Sequence, residues 1–389
     1  MLTPQPPTYL RRARLAVLAV FSLNGFALGG WFVRIPAVQD GLRIGEGLLG
    51  VALLGAAVGA LLSMTVTGAL ISRLGSRRVV GTTALLLPVS LIPLALAPNV
   101  PALALALVLV GASNGALDVS MNSHAVAVEE RYGRRIMSSF HAAFSFGALA
   151  GSVLGGGVAY LGVGVLPHFL VVFVLATLAA IPAYLALLPS DADAAVGDAP
   201  AFARPTRALL GLGVISFCVL LGEGAMSDWS AVYLDNALKT GPGFAAAGYA
   251  AFSLAMALGR LFGDGLAERF GPARLVRLCG AVAAAGLGVA LAVGNPAFAL
   301  VGFACAGAGF SVVFPLALSA AGQTEGVATG PALAAVSTAG YTGFLIGPPT
   351  IGFIAELAGL GTALYLVVGL STAVFLLGGT VRPKSGKHK

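Results

Sequence analysis

The 389-residue chain has a formal net charge of +7, yet only 10% of its residues are charged and 58% are hydrophobic. Its mean hydropathy is +0.95, whereas a water-facing domain carries about 25% charged residues. Those values exclude an ordinary soluble globular protein and make lipid the solvent for much of the surface.

Charge-free runs fall between Arg14 and Arg34, between Glu46 and Arg73, and over 79–117, 136–190, 278–324 and 357–381. A helix needs roughly 20 apolar residues to cross the hydrocarbon core, so the longest runs must hold two spans each. Turn residues divide them at Pro98–Pro101, Gly162–Pro167 and Gly294–Pro296. Backbone groups in lipid must be satisfied within their own segment, which makes the spans helices. The pattern predicts twelve, at 14–36, 46–72, 77–97, 101–128, 136–160, 165–188, 207–235, 243–268, 273–293, 297–320, 331–356 and 360–380.

The first span follows Arg11, Arg12 and Arg14, as a signal peptide would. Its apolar run is longer than a usual signal core and no small-residue cleavage site follows, so it is read as a retained helix. It carries Asn24 and Trp31 and ends at Arg34. In the fourth span Asn114, Asp118 and Asn122 recur every four residues, which puts them on one helix face. A single amide could simply bond a neighbouring helix. Three polar groups in register with a carboxylate favour a cavity wall, because ionisable groups in lipid are costly.

His141 opens the fifth span at a depth similar to that of Asn122. Two readings stand for it: a neutral imidazole satisfied locally, or a solute hydrogen-bonder sharing a proton route with Asp118. Gly147, Gly151 and Gly155 then recur on one face, and Gly343 and Gly347 repeat the pattern in the eleventh span, permitting close helix approach. The seventh span holds Glu223 near its middle and Asp228 nearer the periplasmic end. A carboxylate at such depth is the group that a reversible proton carrier requires. Trp31 and Trp229 sit near span ends, where an interfacial anchor is favoured over stacking on a ring-shaped solute. In the eighth span Arg260 and Asp264 are four apart, and with Glu268 and Arg269 they are expected to be structural.

Cys218, Cys279 and Cys305 lie singly in apolar runs, which predicts neither a disulfide framework nor a metal site. No G-x-x-x-x-G-K-[ST] element occurs, and the loops are too short for a nucleotide-binding domain, so ATP-driven pumping by this chain is excluded and no cofactor is expected. His124 and His141 are far apart and have no cysteine partner, so nothing points to an intramembrane enzyme.

Residues 189–206, with Asp191, Asp193, Asp198 and three prolines, separate a six-span half (1–188) from a second (207–389). At an offset of 196 residues Arg73, Gly75 and Arg78 fall on Arg269, Gly271 and Arg274, and Gly147 and Gly151 fall on Gly343 and Gly347. With both ends cytoplasmic, 18 of the 22 Lys and Arg lie on the cytoplasmic side; Arg34, Arg43 and Lys239 face the other way and Arg260 lies within a span. The positive charge is therefore a topology signal rather than a nucleic-acid footprint.

Gly68-Ala-Leu70-Ile-Ser72-Arg73-Leu-Gly75-Ser-Arg77-Arg78 resembles the loop signature of the major facilitator superfamily, and Asp264-Gly-Leu266-Ala-Glu268-Arg269-Phe-Gly271-Pro-Ala-Arg274 resembles its second copy. Ser72 departs from the usual acidic residue, which Glu268 keeps, so the first half lacks the side chain that would make that acid's contacts. Asp118-Val-Ser-Met-Asn122, Ser138-Ser-Phe-His141 and Glu223-Gly-Ala-Met-Ser-Asp228-Trp229 are similar to a fucose-permease-like branch that holds many uncharacterised bacterial transporters.

The resemblance implies an all-α membrane protein with two pseudo-symmetric six-helix halves and a solute site at their interface. It places the first and seventh helices side by side, so Arg34 and Asp228 are expected to form a periplasmic gate. Asn24, Asn114, Asp118, Asn122, His141 and Glu223 are the expected cavity residues, with Asp118 or Glu223 carrying a proton. The expected activity is proton-coupled symport of a small polar, sugar-like solute by a monomer in a bacterial inner membrane. Efflux of amphipathic compounds against protons is the second reading, weakened by the missing Gly-Pro element in the fifth span; a non-transporting solute sensor is the third.

Overall fold

A computed structural model describes residues 7–133, 136–189, 209–324, 327 and 329–381. The expected linker, apart from Pro189, and the basic C-terminal tail lie outside these residues. The described residues form helices without strands. Among the described residues, eleven helices are long and apolar enough to cross a membrane: α1 (Thr8–Leu42), α2 (Glu46–Leu74), α3 (Ser76–Leu96), α4 (Val100–Tyr132), α5 (Met137–Tyr160), α6 (Val165–Ala186), α7 (Leu210–Ala237), α8 (Pro242–Phe270), α9 (Pro272–Val293), α10 (Pro296–Gly322) and α12 (Leu360–Thr380). The remaining long helix, α11 (Thr329–Ala358), has 30 residues and covers the expected span 331–356; threonines, glycines and the pair Pro348–Pro349 dilute its apolar character.

Several helices are interrupted where proline removes a backbone donor. The helix α1 breaks at Val33 and Arg34 and resumes at Ile35, with Pro36 in the first turn of the new segment. Arg34 N–H turns back to the Trp31 carbonyl at 2.8 Å. The expected end of this span at 36 is thus a bend, and the helix continues to Leu42. The helix α4 is longer than expected, with 33 residues ending at Gly133, whose φ of 70° closes it. At about 1.5 Å per residue it outruns a hydrocarbon core roughly 30 Å thick, so its last, charged turn stands clear of lipid.

The chain divides into two compact units, Met1–Ile44 with Ala52–Gly197, and Gly45–Val51 with Asp198–Lys389. The cut differs from a simple halving because the first turns of α2 group with the second unit. There the Glu356 carboxylate accepts the Gly47 N–H at 3.1 Å, satisfying one of the orphan donors of a helix start.

Both units use the same close approaches. In the first, α1 packs tightly on α5 because Gly25, Gly29, Gly147 and Gly151 present no side chain; a Cβ on Gly147 would fall on the Ser22 carbonyl. In the second, α7 packs on α11, where a Cβ on Gly343 would meet the Phe217 carbonyl. A Cβ on Gly111 would fall on the Ala56 carbonyl, and one on Gly307 would fall on the Phe252 carbonyl. Both partners of that pair obey the 196-residue offset. The loop signatures match as well, with Gly75 at φ 77°, ψ 150° and Gly271 at φ 77°, ψ 146°. These dihedrals are open essentially to glycine alone.

Candidate functional site

In the first unit the expected face of α4 is present. Asn122 Nδ2 donates to the Asp118 carboxylate at 3.1 Å and to the Asp118 carbonyl at 2.9 Å. One turn earlier, the Asn114 side-chain oxygen is buried with no hydrogen-bond partner among the described residues. Asn24 of α1 is buried, and its Nδ2 rests 3.7 Å from Met121 Sδ on α4. The His141 ring stands edge-on to Phe21 of α1, with centroids 5.4 Å apart. Its backbone carbonyl accepts the Ser145 hydroxyl at 3.3 Å. These groups therefore belong to neighbouring faces of α1, α4 and α5.

Arg34 is only 4% exposed, and its Nη2 donates to the Val163 carbonyl at 2.6 Å. Val163 belongs to the turn between α5 and α6, so this arginine ties the α1 bend to that turn. His168 lies close by, fully buried, with neither ring nitrogen hydrogen-bonded among the described residues.

In the second unit Glu223 of α7 forms an ion pair with Arg260 of α8 at 3.3 Å. Besides sharing a face of α8 with Asp264, Arg260 thus reaches across to the neighbouring helix. Ser227 donates to the Glu223 carbonyl at 2.9 Å. The Tyr249 phenol is within hydrogen-bond reach of Ser227 and Ser253 and beside the charges of Glu223 and Arg260. Tyr249, Ser253 and Arg260 follow an i, i+4, i+11 spacing on α8, and that same-face signal could have found them. Asp228 lies five residues beyond Glu223, before a π-helical turn over Tyr233–Ala237.

Two further departures concern buried groups. Trp31 and Trp229 are 2% and 0% exposed, so neither is a lipid-interface anchor. His124, outside the expected site, accepts the Leu188 N–H at Nε2 (3.1 Å) and meets Ser76 Oγ through Nδ1 (2.6 Å). A neutral imidazole with Nε2 accepting carries its proton on Nδ1. It thereby pins α4 to the start of α3 and the end of α6. The loop-signature residues Gly68, Arg73, Arg78, Asp264, Glu268, Arg269 and Arg274 are exposed, and Arg269 stacks over Phe270 at 5.5 Å.

The family model of the Major Facilitator Superfamily matches residues 15–324 and 212–389. The chain belongs to the major facilitator superfamily. Among similar proteins, an uncharacterized transporter, y4wD, of Sinorhizobium fredii is 38% identical over 92% of this chain and 95% of its own length. An uncharacterized MFS-type transporter of Yersinia pestis is 35% identical over 88% of this chain and 89% of its own. The membrane protein MosC of Rhizobium meliloti is 36% identical over 92% and 88%.

Solved major facilitator structures share the fold. The nucleoside transporter NupG superposes with a TM-score of 0.69 at 13% identity, covering 97% of this chain and all of the other. FucP in its outward conformation gives 0.61 at 17% identity, covering 95% and 98%. This chain is accordingly a multi-pass major facilitator transporter of small-molecule solutes.

Proposed function

We propose that this major facilitator transporter carries out proton-coupled symport of a small polar, sugar-like solute by alternating access. The observation that carries the reading is the placement of carboxylates inside the spans of both units, of which Asp118 in the first and Glu223 in the second have polar partners. Asp118 is held by Asn122, and Glu223 by Arg260. A charge at a helix centre costs about 2.5–3.5 kcal/mol on insertion scales. Retaining one within a packed helix pair fits a group that is charged in one step of a cycle and neutral in another. Asn114, Asn122, Asn24 and His141 are assigned to solute hydrogen bonding, and Arg34 and Asp228 to a gate on the periplasmic side. The transporter is assigned to the bacterial inner membrane as a monomer with both termini cytoplasmic, supported by the distribution of Lys and Arg.

Vesicle accumulation driven by an imposed proton gradient tests the coupling. Solute uptake should collapse with a protonophore and be absent from Asp118→Asn or Glu223→Gln. Uptake that persists in the doubly substituted protein would remove the proton role. Cysteines at 34 and 228 that cross-link equally in both conformations would remove the gate.

A further inference from the structure

We propose that Arg260 is a specificity-determining residue that binds the carboxylate of a small hydroxylated acid, displacing Glu223, which then takes the coupled proton. The proposal rests on the transport reading above and adds to it a substrate class.

Two helix faces meet here. Glu223 and Ser227 are four apart on α7, while Tyr249, Ser253 and Arg260 share a face of α8. The Glu223–Arg260 contact is 3.3 Å, with side chains 20% and 18% exposed, respectively. Charge-assisted pairs of optimal geometry close to about 2.7–2.9 Å, so this one is loose. Its members are also unequal. A guanidinium in a protein does not lose its proton, whereas a carboxylate readily gains one. Arg260 inside a span therefore keeps its charge throughout the cycle, with Asp264 one turn away on its own helix, whereas the anion facing it across the helix pair need not always be Glu223.

An incoming carboxylate matches the guanidinium fork in two parallel hydrogen bonds. The Ser227, Ser253 and Tyr249 hydroxyls beside the pair supply donors and acceptors for the hydroxyl groups of the same molecule. Of the other helices packed against α7, α10 and α12 contain no Asp, Glu, Lys, Arg or His, and α11 contains only Glu356, near its far end. Tyr249 and Arg260 of α8 lie beside Glu223. Cys305 of α10, Tyr341 of α11 and Tyr365 of α12 are the further titratable groups on the helices packed against α7, and Asp264 continues the Arg260 face into the exposed end of α8.

The step balances. One solute carboxylate replaces one protein carboxylate on Arg260, and the released Glu223 binds one proton from water. No covalent bond in the solute changes, and one anion and one proton cross together without net charge.

Thermal unfolding of the full chain in detergent tests the assignment, with D-gluconate and D-glucuronate compared with D-glucose and D-sorbitol at matched ionic strength. At least one acid should raise the midpoint by several degrees, at concentrations at least tenfold lower than the neutral compounds require. The effect should vanish in Arg260→Gln and weaken about tenfold or more in Arg260→Lys. Binding should take up about one proton per acid in the native protein and none in Glu223→Gln. The double variant Glu223→Gln with Arg260→Gln buries no charge, and it keeps the test valid if Arg260→Gln alone does not fold. Equal stabilisation by neutral sugars, an undiminished acid effect in either variant lacking Arg260, or no stabilisation by either acid would overturn the assignment. Proton movement driven by a neutral solute and surviving Arg260→Gln would overturn the carboxylate while leaving the transport reading intact. Absence of flux with every solute would take both.

Discussion

Glu223 and Arg260 lie 37 residues apart in the chain, yet they meet within one helix pair. Their case shows what a single residue's surroundings add to its sequence. Helical spacing assigns Arg260 to a face and offers Asp264 as its neighbour, but it does not say which helix that face meets. His124 illustrates the same limit, since its partners Ser76 and Leu188 are 48 and 64 residues away. Removing this imidazole deletes its hydrogen bonds to the buried Ser76 hydroxyl and the Leu188 N–H, and a buried N–H left unpaired costs about 1–3 kcal/mol. His124→Ala should therefore lower the unfolding midpoint by several degrees while leaving solute affinity unchanged; an unaltered midpoint would show that the His124 bonds do not stabilise the unit. The Asn114, Asp118 and Asn122 face was legible because a period of four suffices to define it. Arg34 was legible as a residue at a span end but not as the ligand of the Val163 carbonyl, because that turn is brought to it only by packing.

At the scale of elements, glycine marks where backbones touch. Gly111 and Gly307 leave no room for a side chain, whereas Gly157 faces open space. Gly111→Val and Gly307→Val should each cost the yield of folded transporter at least as much as any surface change, and Gly157→Ala should leave it unaltered. Size-exclusion profiles of the purified variants would decide, and a well-folded Gly111→Val would contradict the packing described. Gly75 and Gly271 act differently, through dihedrals rather than contacts. Strain of about 1–3 kcal/mol is expected for an alanine at either position, with similar losses of thermal stability in the two variants because the dihedrals agree. A loss confined to one of them would show that the repeat does not extend to loop energetics. The spans themselves were readable from charge-free length, but the bend at Arg34 was not, because Pro36 in a first turn does not announce whether a helix stops or turns.

For the whole molecule, the 196-residue offset links sequence to architecture: the same spacing relates the loop arginines, the signature glycines and the Gly111 and Gly307 approaches. Fold and family were therefore legible at the level of composition and repeat, since lipid constrains every residue of a span in the same way. The site was only partly legible, because it depends on a few polar groups whose neighbours the helix period leaves open. In the proposed cycle Asp118 and Glu223 link solute movement to a proton. Internal pH in proteoliposomes, followed while solute pools are added outside, tests it most directly. Solute-dependent acidification is expected, and it should be lost in Asp118→Asn and in Glu223→Gln. Undiminished acidification in both variants, or solute entry with no acidification, would contradict it.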